Sequence, residues 1–432
     1  MNEVGTMKSF VWISTLLVGM GSGVLADQTD PKNWAHFRGP TGNGVAVRGK
    51  PPVEWSESKN VKWKVEIPGR GSSSPIVWDN RILVSTAIAG EKAEGQDHPS
   101  HDFLLLCFDR ATGKQVWKKT ANKLVPHEGH HKDHGFASAS PCTDGERVYA
   151  YFGTRGLYCY DMAGELVWSK TGMPKHTIMY DFGEGSSPTL YRDTLIVPAD
   201  HEGPSFLYAL DKKTGDELWK VARDESTNWV TPLVVEHDGK AQIITVGENF
   251  ARSHDLASGK ELWRCSGPNR RPVASPVAGH GLVFMANGHN GFWLVGARLD
   301  GKGDITGSEH VVWKREDLAP DIASPVLSGR RLFFTKKKTG LLSCFDAVTG
   351  KPHYETQRTG VDMVYSSLVG ANGKIYLTGR TGKTVVFEDS DSFKIVATNQ
   401  MDEGIDATPA IVGNEIFLRG EKHLYCLSTA GK

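Results

Sequence analysis

Four histidines fall close together at His127, His130, His131 and His134, with Glu128 and Asp133 among them. Imidazoles at such short spacings can bring two or three ring nitrogens onto one ion, with a carboxylate completing the set. A His-bound metal is therefore one reading of PHEGHHKDHG. The other is a polar loop whose histidines pack it against the body of the protein or point to water. No helix bearing an HExxH pattern and no CxxC pair accompanies the cluster, and those signatures would make a metal specific.

The element that must position this loop is a repeat. A small-residue step ending in proline opens an apolar run at Pro75, Pro141, Pro188, Pro232, Pro276, Pro325 and Pro409. A degenerate copy, Tyr-Ser-Ser-Leu, ends at Leu368. Successive copies lie 41 to 66 residues apart, near the ~40–50-residue period of propeller blades. A second mark is a turn-and-strand of the type Asp-x-x-Thr-Gly-Lys-x-x-Trp. It runs Asp109 to Trp117, Asp211 to Trp219 and Asp255 to Trp263, with a shortened form from Asp161 to Trp168 and Tyr354 replacing Trp after Asp346. The Asp accepts hydrogen bonds from its own turn, and Gly113, Gly215, Gly259 and Gly350 supply the positive φ that a tight hairpin needs. The aromatic then stands on the following strand, where it can cover the neighbouring sheet. Truncating such a residue costs about 3–5 kcal/mol.

Between the marks, β-rich runs such as RILVSTA and RLFFTK alternate with Gly/Asp/Asn turns, and no helical periodicity is sustained. Each repeat therefore reads as four short antiparallel strands, A to D. One such unit has two apolar faces and cannot bury them alone, so eight of them predict an all-β, eight-bladed propeller over residues 60–432. The last repeat runs out of chain after three strands. Trp63 lies 12 residues before Pro75, in the register of the other outer-strand aromatics. A strand around Trp63 is thus expected to complete blade eight and close the ring.

These two marks resemble the repeats of the pyrroloquinoline quinone (PQQ)-binding-like propellers, over about residues 60–427. That superfamily includes quinoprotein alcohol dehydrogenases and the outer-membrane assembly factor BamB. The segment WAHFRGPTGNG at Trp34 to Gly44, within an N-terminal extension over 27–59, is similar to the lead-in of bacterial PQQ-repeat proteins of unassigned role. The resemblance implies the propeller fold and leaves the function open, because function lives in sites grafted onto folds.

In a propeller the B–C loops and the blade-to-blade D–A links emerge on one face. That sorts His98, His101, His176, His201 and His289 onto the same face as the histidine loop. The mouth of the central channel there should be lined by residues just before each strand A. These are Arg70, Phe136, Glu184 and Trp229, then Arg270, Arg271, Asp321, Tyr365 and Asp406. Such a rim could hold a planar anion such as PQQ, with Trp229 stacking and arginines pairing its carboxylates. The favoured reading is the plainer one, a polar, water-filled rim of the kind that propellers often carry.

Composition narrows the partners. Lys+Arg and Asp+Glu are balanced at 50 each, so neither nucleic acid nor an anionic membrane surface is an expected partner. A start at Met7, the apolar run Phe10 to Val18 and the small-residue end Val24-Leu25-Ala26 read as a cleaved export leader over 1–26. No Cys follows the expected cleavage site, so no lipid anchor is expected, and no later run is long enough to span a membrane. The mature chain is expected to be soluble and periplasmic or secreted. Cys107, Cys159, Cys344 and Cys426 share one register in different repeats, too far apart on a ring to bridge, and read as small buried hydrophobes.

Three functions remain open. The first is a non-catalytic binding or protein-interaction scaffold with protein partners in the cell envelope. The second is the PQQ- and Ca2+-dependent dehydrogenase that the resemblance also implies. The chain lacks both the adjacent Cys-Cys pair of those enzymes and a CxxCH haem motif. The third is a carrier of a small ligand or metal.

Overall fold

Eight four-stranded antiparallel sheets form a ring of blades in the computed structural model, which describes residues 32–429 together with Met1. But for Met1, the expected leader lies outside the described residues. The blades span 76–124, 142–170, 189–223, 233–266, 277–315, 326–358 and 369–400, and the eighth joins 410–428 to 61–66. As the spacing of Trp63 predicts, Val61–Glu66 pairs antiparallel with His423–Ser428, placing Trp63 opposite Cys426. The ring is closed by the two ends of the chain.

The two sequence marks are the two ways in which neighbouring blades hold each other. On the outside, each aromatic packs on the Gly turn of the next blade. A Cβ at Gly113 would lie 2.7 Å from the Trp63 indole, and the same relation holds for Gly164 with Trp117, Gly215 with Trp168, Gly259 with Trp219 and Gly350 with Trp313. The indole N–H then donates to a carbonyl of that turn: Trp63 to Arg110 at 3.0 Å, Trp117 to Met162 at 3.1 Å and Trp168 to Lys212 at 3.1 Å. Trp219 and Trp313 repeat it with Leu256 and Ala347. Trp263 and Tyr354 are the exceptions; Tyr354 packs on Phe393, and its buried hydroxyl meets no partner. Blade five has an extended C–D connection, so Trp263 packs on Gly301 and its buried N–H meets no acceptor.

On the inside, the residue before each strand-opening proline builds a ring. Ser74, Ser140, Ser187, Thr231, Ser275, Ser324 and Ser367 each donate a backbone N–H to the hydroxyl of the next blade's equivalent, at 2.9 to 3.1 Å. Thr408 returns to Ser74 at 3.0 Å. This explains why serine or threonine stands there. A short side chain with its hydroxyl acceptor one carbon from the backbone satisfies a buried N–H that no strand partner reaches.

The six cysteines are free and buried. Cys107, Cys159 and Cys426 sit cross-strand from Trp117, Trp168 and Trp63, and Cys344 from Tyr354. Burial pushes the Cys107 and Cys159 thiols up to about 12, so they pack rather than react.

The segment Trp34 to Gly44 continues inward and closes one end of the channel. Trp34, fully buried, exchanges backbone hydrogen bonds with Val77 of blade one, and the Ala35 carbonyl accepts from Thr143 of blade two. Asn43 bonds both backbone groups of Ala278 in blade five, and Val45–Ala46 pairs in parallel with Val369–Ala371 of blade seven. Arg38, 3% exposed, donates to the Pro325 and Leu368 carbonyls of blades six and seven, at 2.6 and 2.9 Å. The backbone N–H of Lys50 donates to Asn414 in the A–B turn of blade eight. The plug thus lies on the face opposite the B–C loops.

Candidate functional site

With one end sealed, the channel is a blind cup opening on the face of the B–C loops and D–A links. It encloses about 250 Å3, with Phe37 of the plug in its floor. Above Phe37 stands the Ser/Thr ring, of which Ser74, Ser187, Thr231, Ser324, Ser367 and Thr408 line the cup. Each oxygen already accepts a backbone N–H, so its own proton is left to donate into the channel. The walls come from the links: Phe182, Trp229, Arg271, Asp321, Tyr365 and Asp406, with His131 and His134 from the histidine loop and His289 and Lys338 from B–C turns.

Trp229 is held by its indole N–H on the Gly183 carbonyl at 2.7 Å, with Phe182 6.4 Å away. Arg271 stacks over Tyr180 and Phe182, at 4.8 and 5.7 Å, and its Nη1 approaches His289 Nε2 at 3.2 Å. Its φ of +58° is left-handed, a conformation that costs about 1 kcal/mol or more for a non-glycine residue. Burial lowers the His289 pKa, against the pull of Asp321, whose carboxylate is 3.6 Å away. Across the cup, Arg380 bridges Asp133, at 2.9 Å, and Asp406, at 3.2 Å, while the Tyr365 hydroxyl donates to Asp133 at 3.1 Å. Asp406 Oδ1 is buried without a protein partner. Desolvation raises this carboxyl to about 6 despite Arg380.

Five of the nine rim residues expected from sequence therefore meet in the cup: Trp229, Arg271, Asp321, Tyr365 and Asp406. The other four stand outside its lining. Glu184 is held in an ion cluster with Arg155 and His176, bonded also by the Thr154 N–H. Phe136 is packed edge-on by His101 and His130. Arg70 donates to the Lys132 carbonyl, and Arg270 is exposed beside Glu248.

The four histidines do not converge. His127 Nε2 donates to the His176 carbonyl at 2.8 Å, His130 Nδ1 to the His131 carbonyl, and His131 Nδ1 accepts from the Asp133 N–H. His134 is half-buried, and desolvation lowers its pKa to about 4. Letter by letter, His127-Glu128-Gly129-His130-His131 has HExxH spacing, but the chain there is irregular, so no helix aligns the rings. Among the described residues no three His, Cys, Asp or Glu side chains group as a metal site. Sequence reasoning missed Phe37, Lys338 and Arg380. The hydroxyl ring was in view at every Ser/Thr-Pro step without being read as a ring.

The sequence profile of the family described as outer membrane protein assembly factor BamB matches residues 101–356. The chain belongs to this family. The BamB fold is also seen in the solved structures it resembles. BamB from Moraxella catarrhalis superposes with a TM-score of 0.59 at 11% identity, over 86% of this chain and 98% of that one. Quinohemoprotein alcohol dehydrogenase from Comamonas testosteroni gives 0.66 at 10% identity, over 94% and 82%. A europium-containing methanol dehydrogenase gives 0.64 at 9%, over 92% and 91%. At such identities the likeness to these structures is one of fold. No curated protein sequence matches the chain.

Proposed function

We propose that this BamB-family chain is a non-catalytic binding propeller of the cell envelope whose working site is the axial cup. The observation that carries the reading is the plug. Trp34 to Gly44 turns an open channel into a one-ended vessel with fixed aromatic, cationic and carboxylate walls, the form that small-molecule sites take. The expected leader and the family both support an envelope location, where protein partners are met on the outer surface of the ring.

The second reading is a quinoprotein dehydrogenase, favoured by the indole of Trp229 and the guanidinium of Arg271 in one cavity. The donor set does not fit its cofactors. A tricarboxylate quinone would face Asp321 and Asp406, and among the described residues no cluster of acidic or imidazole ligands awaits a Ca2+ ion. The test is titration of the mature protein with PQQ and Ca2+, following absorbance and dye reduction with alcohols and sugars, beside calorimetry with small polar molecules. Saturable binding lost in Trp229→Ala, with no dye reduction, is expected. Substrate-dependent dye reduction would overturn the binding reading.

A further inference from the structure

The cup carries an excess of charge of opposite sign on different walls: Arg271 and Lys338 pair with no carboxylate among the described residues, whereas Arg380 alone serves two carboxylates, Asp133 and Asp406. On the side of blades four to six, the Arg271 guanidinium meets the Met179 sulfur, His289 and two aromatic rings, none of them an anion. The Lys338 ammonium lies 5.7 Å from the Tyr365 ring, and no ion pair joins it or Arg271 to a carboxylate among the described residues. On the side of blades seven and eight, Asp406 Oδ1 is a buried acceptor that no protein donor reaches. Lys338 is exposed and Arg271 half-buried, so water meets their charge, but the buried Asp406 acceptor costs free energy until a donor reaches it.

This pattern discriminates between ligand classes. A polycarboxylate would answer Arg271 and Lys338 but would set like charge against Asp321 and Asp406. A neutral polyol would satisfy Asp406 and the hydroxyl ring but would leave two cations without a counter-charge. Only a ligand with a carboxylate at one end and a cationic donor at the other answers both walls.

We propose that the cup takes a small zwitterion of the amino-acid class, its carboxylate at Arg271 and Lys338, its ammonium at Asp406 and its side chain against Trp229 and Phe182. The proposal rests on the cup being the binding site. The hydroxyl ring lines the same cup and already accepts its backbone N–H bonds, so its protons can donate to a polar group bound there. The indole pinned on Gly183 offers a flat face to an apolar or aromatic side chain.

The experiment is calorimetric titration of the mature protein with L-phenylalanine, N-acetyl-phenylalanine, phenylalaninamide and citrate, repeated on Arg271→Gln and Asp406→Asn. Phenylalanine is expected to bind about 10- to 100-fold more tightly than either capped form, the value of one charge-assisted hydrogen bond. Asp406→Asn should erase the preference over the N-acetyl form, and Arg271→Gln the preference over the amide. Citrate binding without phenylalanine binding would overturn the zwitterion while leaving the cup as a site. Phenylalanine binding indifferent to both replacements would overturn it by placing the ligand elsewhere. No binding by any probe would overturn the ligand class and the cup reading together.

Discussion

The backbone N–H of Thr408 donates to the hydroxyl of Ser74 at 3.0 Å, across 334 residues of chain. It is the eighth and last link of a ring in which every blade hands its neighbour the same bond. The neighbouring contact is equally long-range, since Arg419 donates to the carbonyls of Ser73 and Ser85 at 3.0 and 2.7 Å. Closure is therefore made twice, by hydroxyls at the axis and by Trp63 on the outside.

Ser74→Ala is expected to cost about 1–3 kcal/mol, because it strands the buried Thr408 N–H instead of merely deleting one bond. Equilibrium urea unfolding measures it. Ser324→Ala, inside the ring, strands Ser275 in the same way and should cost a similar amount. A loss at neither position would show that the ring is decoration on strands that hold themselves.

Gly113→Ala should be more damaging than an ordinary turn substitution. The added Cβ meets the Trp63 indole at 2.7 Å, and the position has a φ of +72°, so sterics and backbone act together. The expected loss is about 2–4 kcal/mol, with the melting transition shifted downward. Trp63→Ala, which removes the indole itself, should cost about 3–5 kcal/mol. If Gly113→Ala restored stability in the Trp63→Ala background, the clash and not the φ would be the dominant cause.

How much of this could be read beforehand follows from what kind of contact each feature makes. Blade number, strand order and the closing role of Trp63 were legible because they recur, and repetition converts a weak local pattern into a register. The plug does not recur. Trp34 to Gly44 is bound largely through backbone groups and through Arg38 on two carbonyls, which leave no periodic trace. The rim shows a finer limit. Arg270 and Arg271 are neighbours, yet only the second enters the cup. Its left-handed φ turns the chain there, and nothing in the residue type announces it. Glu184 was expected at the mouth from its position before strand A, but Arg155 and His176 draw it into the wall between blades two and three.

The Asp406 carboxyl, raised by desolvation from 3.8 to about 6, should mark the stability curve. A group whose folded-state value is raised favours folding below its unfolded value and loses that contribution as pH climbs through the folded one. Wild-type stability should therefore fall between about pH 4 and pH 6 by up to about 3 kcal/mol from this residue. Asp406→Asn should flatten that part of the curve and be relatively more stable at pH 7 than at pH 4. Urea unfolding at half-unit pH intervals compares the two, and parallel curves would show that Asp406 ionises freely.

The histidine loop is expected to be held over the cup by Asp133. Its carboxylate takes the Arg380 guanidinium at 2.9 Å and the Tyr365 hydroxyl at 3.1 Å, and Arg380 also donates to the Asp133 carbonyl. These bonds reach from the link after blade one to blade seven. Burial opposes ionisation, yet Arg380 and Tyr365 hold the Asp133 carboxyl below its ordinary value, so the clasp persists at any pH above about 4. The pair is about four-fifths buried on both sides, with 21% and 18% of the side chains exposed, and is worth more than a surface ion pair. Asp133→Asn should raise amide exchange across residues 127–135 by about tenfold while leaving the blades protected. Because His131 and His134 line the cup from this loop, its release should also speed the entry of whatever the cup takes. Unchanged exchange in the loop would mean that His131 on Phe182, with ring centroids 4.7 Å apart, holds it unaided.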